Sequence, residues 1–251
     1  MTGVLIALSG SASSLVPYLH QLGKEYVGVG ELHSTVSKSK LQEIMRTLTG
    51  EIYQRPPARA SVGRRLRTRN VFYFDLLEFE DRRFLFRVGT EAGTYIRKLI
   101  HDLGLLTGSG AHMVELRRTR DGPFDESQSN NLWNVAVALE IYRTNGDESE
   151  LRKVVLPLES AISLFPSIYI KDSAVSAICH GANLSIGGVS SFEEPMNRGD
   201  VVAIKTLKGE LVAMAKSEKD SHGLLNDKTG LAATTERVLM ERSIYPRMWR
   251  Q

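Results

Sequence analysis

Arginine is the residue type with the clearest chemical potential in this sequence, and it is unevenly spaced. Between Gln54 and Asn70 stand Arg55, Arg59, Arg64, Arg65, Arg67 and Arg69, with no acidic residue among them. A second group, Arg117, Arg118 and Arg120, adjoins the turn Asp121-Gly122-Pro123. A guanidinium stays charged at any working pH, and its planar fork can bond two phosphate oxygens, so both groups suit a polyanion. The first run would serve equally as a solvated basic loop, and the second as ion-pair partners of Glu115 and Asp121. Phosphate attraction is largely blind to sequence and sugar, so the arginines alone do not separate RNA from DNA. The total charge conceals them, because 32 Lys plus Arg against 29 Asp plus Glu leave only +3.

Other reactive side chains are few. The single cysteine, Cys179, excludes an internal disulfide framework and a multi-cysteine zinc site, which fits a reducing compartment with the cytoplasm as default. It reads most simply as a small buried hydrophobe. The opening MTGVLIAL lacks a basic leader region, and no run of about 18 apolar residues occurs, so neither a signal peptide nor a membrane span is expected.

These groups must be placed by a chain of 251 residues that is 42% hydrophobic, enough for one large domain or two modest ones. A helix is expected over Ser14 to Leu22, a half-buried strand over Lys24 to Leu32, and a helix over Lys40 to Leu48 ended by Gly50. The segment QRPPARASVGRRLRTR reads as a loop. Val71 to Glu80 and Arg83 to Val88 read as the two strands of a hairpin around the charged turn Glu80-Asp81-Arg82. Tyr95 to Leu103 has helical spacing broken by Gly104 to Gly110, and Met113 to Arg118 follows as a strand. Helical patterns cover Leu132 to Tyr142 and Glu148 to Val155, and a boundary falls between Pro157 and Pro166. Beyond it, SIYIKDSAVSAICHGANL and later short β-runs separated by Gly, Asn and Asp suggest a small barrel or sandwich.

Five spaced motifs carry a resemblance: KEYVGVGELH at 24–33, QRPP at 54–57, EAGTYIRKLIHDLG at 91–104, GAHMVELRRTRDGPF at 110–124 and IKDSAVSAICHGA at 170–182. The chain resembles the archaeal H/ACA-type RNA pseudouridine synthases of the dyskerin and TruB family, from Thr2 to Tyr245-Pro246-Arg247-Met248-Trp249. No lysine-rich tail follows Trp249, which favours the archaeal form. The resemblance implies an α+β fold: an incomplete synthase mixed sheet with flanking helices over 1–160, a small β-barrel PUA domain over 167–242, and a tail over 243–251.

It also implies isomerisation of uridine to pseudouridine in rRNA and also tRNA, with no organic cofactor and no metal. The implied partners are an H/ACA guide RNA, the substrate RNA and other H/ACA proteins, with no membrane. A carboxylate starts the reaction, after the target base leaves its stack at a cost of a few kcal/mol. By motif matching Tyr26 stacks on the flipped base and assists proton removal, Arg97 pairs with the nucleophile, and Leu116 closes the pocket to water. The basic segment after QRPP corresponds to the family's mobile thumb, so Arg55, Arg59, Arg64, Arg65 and Arg67 are expected to grip RNA, with Arg117 and Arg118. Gly63 stands where the family usually has a lysine, which implies a looser grip there. In the PUA-like part, His180 and Gly181 lie in a turn where RNA can approach the backbone closely.

In this family the nucleophilic aspartate belongs to a GTLDP-like loop running directly into TGVL, and TGVL is Thr2 to Leu5 here. Ungapped alignment places that aspartate a few positions before Met1. Asp75, Asp102 and Asp121 lie in other motifs and do not substitute. A late start, a separate N-terminal chain and an inactive RNA-binding remnant are the three arrangements this leaves open.

Overall fold

The computed structural model of the chain describes residues 2–56, 63 and 65–246. Two compact units emerge, one from residues 2–7 with 17–130 and the other from 8–16 with 131 onward. The strands of the first unit are β1 (Thr2–Gly3), β2 (Lys24–Leu32), β3 (Gly50–Gln54), β4 (Arg67–Glu80), β5 (Arg83–Thr90), β6 (Ala111–Asp121) and β7 (Phe124–Asp125). They form one mixed sheet in the order β1-β6-β2-β5-β4-β3, with β7 on β6. Among the described residues of this sheet, only the β1–β6 pairing is parallel.

The core face of β2 is set by its alternation. Gly28, Gly30 and Leu32 point inward, and both glycines are needed because the Phe86 and Phe84 rings of β5 lie across them. A Cβ on Gly30 would stand 2.2 Å from the Phe84 ring. Helix α2 (Lys38–Thr47), capped by the Ser37 side chain, packs Leu41 and Met45 over β4. Helix α3 (Ile96–Thr107) covers β6 with Ile96, Leu99, Ile100 and Leu103, spaced to fall on one helical face. A short helix α1 (Val16–His20), preceded by a 3-10 turn over Gly10–Leu15, stands where a longer helix over Ser14 to Leu22 was expected.

Three expectations for this unit need correction. Gly104 lies inside α3, which runs on to the left-handed cap Gly108. Gly104 is there for contact, since a Cβ would sit 2.1 Å from the Ala111 backbone nitrogen. The arginine-rich stretch is not all loop: β3 ends at Gln54, and β4 begins at Arg67, four residues before the expected start. The pairing Gln54↔Arg67 to Gly50↔Val71 builds a ladder in which backbone hydrogen bonds, rather than apolar periodicity, decide the strand. Gly50 then opens β3 at φ +94° as well as ending the α2 connection.

The second unit holds α4 (Leu132–Asn145), α5 (Leu151–Val154), β8 (Ser167–Ile170), α6 (Asp172–Cys179), β9 (Leu184–Ser185), β10 (Val189–Phe192), β11 (Val201–Thr206), β12 (Leu211–Ser217), α7 (Ser221–Asn226) and β13 (Leu231–Val238). Its six strands pair in the order β10-β8-β11-β12-β13-β9 around a core that includes Ile168, Ile204, Val212 and Ala232. The run expected as short strands and turns contains α6 instead. Val175, Ile178 and Cys179 are buried at helical spacing on its inner face. Among the described residues no helix is long and apolar enough to cross a membrane.

Candidate active site and RNA-facing groove

Tyr26 and Arg118 face each other across β2 and β6, and Gly28 faces Leu116 one step along. Directly opposed residues in an antiparallel pair share a face, so Tyr26, Leu116 and Arg118 stand together on the helix-covered side. Leu116 is 7% exposed, and Tyr26 is half-buried against the core. Burial pushes the Tyr26 hydroxyl above its ordinary value and Asp121 adds to this, while hydrogen-bonding Arg118 pulls it down; the net direction is upward.

Arg118 is the hub of this corner. Its Nε donates to the Val4 carbonyl at 2.7 Å, fastening the chain that leaves β1, and its Nη1 meets Asp121 Oδ2 at 3.1 Å. The other carboxylate oxygen of Asp121 takes Lys24 Nζ at 3.0 Å. Lys24 also donates to the carbonyls of Leu19, His20 and Leu22, at 3.3, 3.3 and 2.8 Å, closing the end of α1. Both oxygens of the 7% exposed Asp121 are thus committed. Asp75 is likewise paired, with Arg87 at 2.8 Å, and Asp102 with Lys98.

Arg97 is exposed on the first turn of α3, presented by a buried side chain that the motif reading passed over. Gln54, 2% exposed, accepts from Tyr95 N at 2.9 Å and donates to Tyr95 O at 3.3 Å. Those two bonds fix the residue at the N-terminal cap of α3. The signal was its place at the head of QRPP, but its partner depends on the fold. Arg97 lines an open groove of about 630 Å³ with Tyr53, Arg55, Pro56, Leu66, Lys98, His101 and Asp102. Tyr53 is 65% exposed there, and flat aromatic surface beside arginine and lysine is the composition that nucleobases and phosphates require.

The predicted RNA-facing arginines divide. Arg55 and Arg65 are exposed and Arg67 is partly covered at the start of β4, whereas Arg59 and Arg64 lie outside the described residues. Arg69 is held inward by Glu91 at 3.2 Å. Arg117 is ion-paired with Glu126, not with the Glu115 that the ion-pair alternative named, while Arg118 pairs with Asp121 as that alternative has it. In the second unit His180 is the exposed C-cap of α6, with Nδ1 2.7 Å from the Ser176 carbonyl oxygen, and Gly181 follows at φ +89°. Cys179 is buried at 2% exposure, and burial pushes its thiol up. Among the described residues no group of three or more His, Cys, Asp or Glu side chains is arranged to hold a metal ion.

Three family models match the chain. The tRNA pseudouridylate synthase B C-terminal domain family matches residues 97–163, the PUA domain family residues 166–239, and the Pus10 C-terminal family residues 14–116. A probable tRNA pseudouridine synthase B of Methanosarcina barkeri is 47% identical over 249 residues, covering 99% of this chain and 74% of its own length. The counterpart from Pyrococcus horikoshii is 46% identical over 250 residues, covering 99% and 75%. Among solved structures, a Cbf5-Nop10-Gar1 complex superposes with a TM-score of 0.93 at 46% identity, over 98% of this chain and 75% of that one. An H/ACA RNP bound to a substrate RNA containing 2'-deoxyuridine gives 0.88 at 44%, over 95% and 73%. These matches, which run over nearly the whole chain and end in a PUA domain, define the class of RNA pseudouridine synthases. The chain belongs to the archaeal TruB/Cbf5 pseudouridine synthase family.

Proposed function

We propose that the chain supplies the base pocket and the RNA-binding surfaces of an H/ACA-guided synthase that converts uridine to pseudouridine in rRNA, and also in tRNA. The observation that carries this reading is the Tyr26–Leu116–Arg118 corner fastened to β1. Because β1 runs parallel to β6, with Thr2 opposite Arg117, the chain enters β1 from the Leu116 side. A carboxylate on a loop leading into Thr2 would therefore be delivered beside the pocket. Asp75, Asp102 and Asp121 are each engaged in ion pairs with neighbours of their own motifs.

In this scheme the flipped uracil stacks on Tyr26, Leu116 keeps water from the ribose, and Arg97 orients the incoming carboxylate. The carboxylate frees the base from the ribose, the base turns, and a bond from its carbon to the sugar replaces the bond from nitrogen. With its hydroxyl held above the ordinary value, Tyr26 is protonated at neutral pH and acts by stacking and hydrogen bonding until a proton is needed. Residues 1–160 are assigned to the synthase part, 167–242 to the PUA part and 243–251 to the tail, of which 247–251 lie outside the described residues. The proposed setting is cytoplasmic, in a ribonucleoprotein. The partners are a guide RNA held by the PUA part through the His180-Gly181 turn, the substrate RNA in the groove at Arg55 and Arg97, accessory H/ACA proteins and the source of the carboxylate. The family relative solved with Nop10 and Gar1 supports the accessory proteins.

In a complex supplied with the carboxylate loop, Tyr26→Phe and Arg97→Ala should abolish product while leaving RNA affinity within a few fold. Normal product from either variant would overturn these roles.

A further inference from the structure

The face of the sheet opposite the pocket carries a row of side chains that the scheme above leaves unused. Tyr73 on β4 lies opposite Gly89 on β5, and Gly89 lies opposite Glu25 on β2. The Tyr73 ring passes directly over Gly89, where a Cβ would stand 2.4 Å from the ring, and its hydroxyl donates to Glu25 Oε2. The other carboxylate oxygen, Oε1, accepts from the Thr119 hydroxyl at 2.7 Å. Arg87 lies over the Tyr73 ring at 5.5 Å. Burial pushes the Glu25 carboxyl up, but the Tyr73 and Thr119 hydrogen bonds and the fields of Arg120 and Arg87 outweigh it, so the net direction is downward.

Thr119 is not an ordinary strand residue. Glu25 pairs with Arg120 while Tyr26 pairs with Arg118, so Thr119 is the extra residue of a β-bulge between them. A bulge bends its strand and re-aims the neighbouring side chains. The two residues re-aimed here are Tyr26 and Arg118, the aromatic of the pocket and the anchor of β1. Neither oxygen of Glu25 reaches the pocket, because alternate residues of β2 point to opposite faces.

We propose that Tyr73, Glu25 and Thr119 form a positioning latch, passing over Gly89, that pins the Thr119 bulge and so sets the aim of Tyr26 and Arg118. The inference rests on the assignment of Tyr26 to the pocket. It names positioning residues, not catalytic ones. Four strands contribute to it, β4, β5, β2 and β6, so the pocket aromatic is set from the back of the sheet as well as from its own side. Gly89 is part of the device because any larger residue would lift the Tyr73 ring off its path.

The test compares Thr119→Val, which keeps the shape and loses the hydroxyl, with Thr119→Ser, which keeps the hydroxyl, alongside Tyr73→Phe and Gly89→Ala. In the complete guide-RNA complex, Thr119→Val, Tyr73→Phe and Gly89→Ala should each lower kcat by about tenfold or more, as misplacement at a reacting centre does, with KM within about twofold. Thr119→Ser should retain wild-type kcat. The second readout needs no turnover: in the full chain with labelled tyrosine, the NMR titration of Tyr26 should move toward its ordinary value of 10.0 in Thr119→Val but not in Thr119→Ser. Unchanged kcat and an unmoved Tyr26 titration in Thr119→Val would overturn the latch, as would equal losses in Thr119→Val and Thr119→Ser. If the wild-type complex makes no pseudouridine, the functional assignment fails, and the Tyr26 titration alone then decides the latch.

Discussion

Replacing Gln54 by methionine isolates the clamp that holds Arg97 in place. The side chains are similar in volume, so the cavity contribution is small, and what is lost is the pair of bonds to Tyr95 N at 2.9 Å and Tyr95 O at 3.3 Å. Gln54 is 2% exposed, so water does not simply take its place. Tyr95 O still accepts from Leu99 N at 3.0 Å, so the unsatisfied group is Tyr95 N, and a buried donor left without a partner costs about 1–3 kcal/mol, or about 2 kcal/mol here. For a chain of this size each kcal/mol moves the melting point by about 2–4 °C, which predicts a fall of about 4–8 °C. Differential scanning calorimetry of Gln54→Met beside wild type reads this directly. In the complete complex the same variant should lose kcat through Arg97, whose backbone lies two residues beyond Tyr95. A stability loss below about 0.5 kcal/mol would mean that the Tyr95 groups are satisfied without Gln54, and the clamp would be refuted.

Other expectations follow from the same geometry. Gly104→Ala drives a Cβ against the Ala111 backbone at 2.1 Å, so urea titration should show a loss of about 3 kcal/mol. Burial and the bond to Glu25 push the Tyr73 hydroxyl up to about 12, above its ordinary 10.0. Its stabilising contribution is therefore complete below pH 10 and is lost as pH rises through about 12, so alkaline unfolding should be shallower in Tyr73→Phe. Glu25, held low, contributes above the ordinary carboxylate range and loses that contribution as pH falls through its depressed native value, and Glu25→Gln should flatten the acid limb of the same titration. Arg55→Ala should weaken RNA binding for all sequences and reduce the slope of log affinity against log salt by about 1.

Much of the synthase sheet was legible because its signals are local. The alternation of β2, the charged turn at Asp81 and the apolar spacing of α3 survive in one sequence read alone. β3 and the first residues of β4 were not legible, because their arginines and polar residues carry no period and their pairing joins segments far apart in the chain. The same holds for Gly104, whose reason is a neighbouring strand, and for α6, whose small residues suit turns as well as helices. Tyr26, Arg97 and Leu116 were identified by resemblance, which assigns roles to motif positions. The side chains around them were not. Glu25, Lys24 and Gln54 sit within the quoted motifs, yet what each does depends on a bulge, a helix end or a cross-strand partner that only the fold supplies. Conversely, Arg117 and Arg118 resemble RNA ligands by composition, while their acidic partners Glu126 and Asp121 show where much of that charge is spent.

The most direct test measures site-resolved pseudouridine in a guide-paired RNA, using this chain with guide RNA, accessory proteins and a GTLDP-like loop leading into Thr2. The account predicts product in this complex, and none when the aspartate of the loop is replaced by asparagine. Conversion of uridine by the complex carrying the asparagine would contradict it.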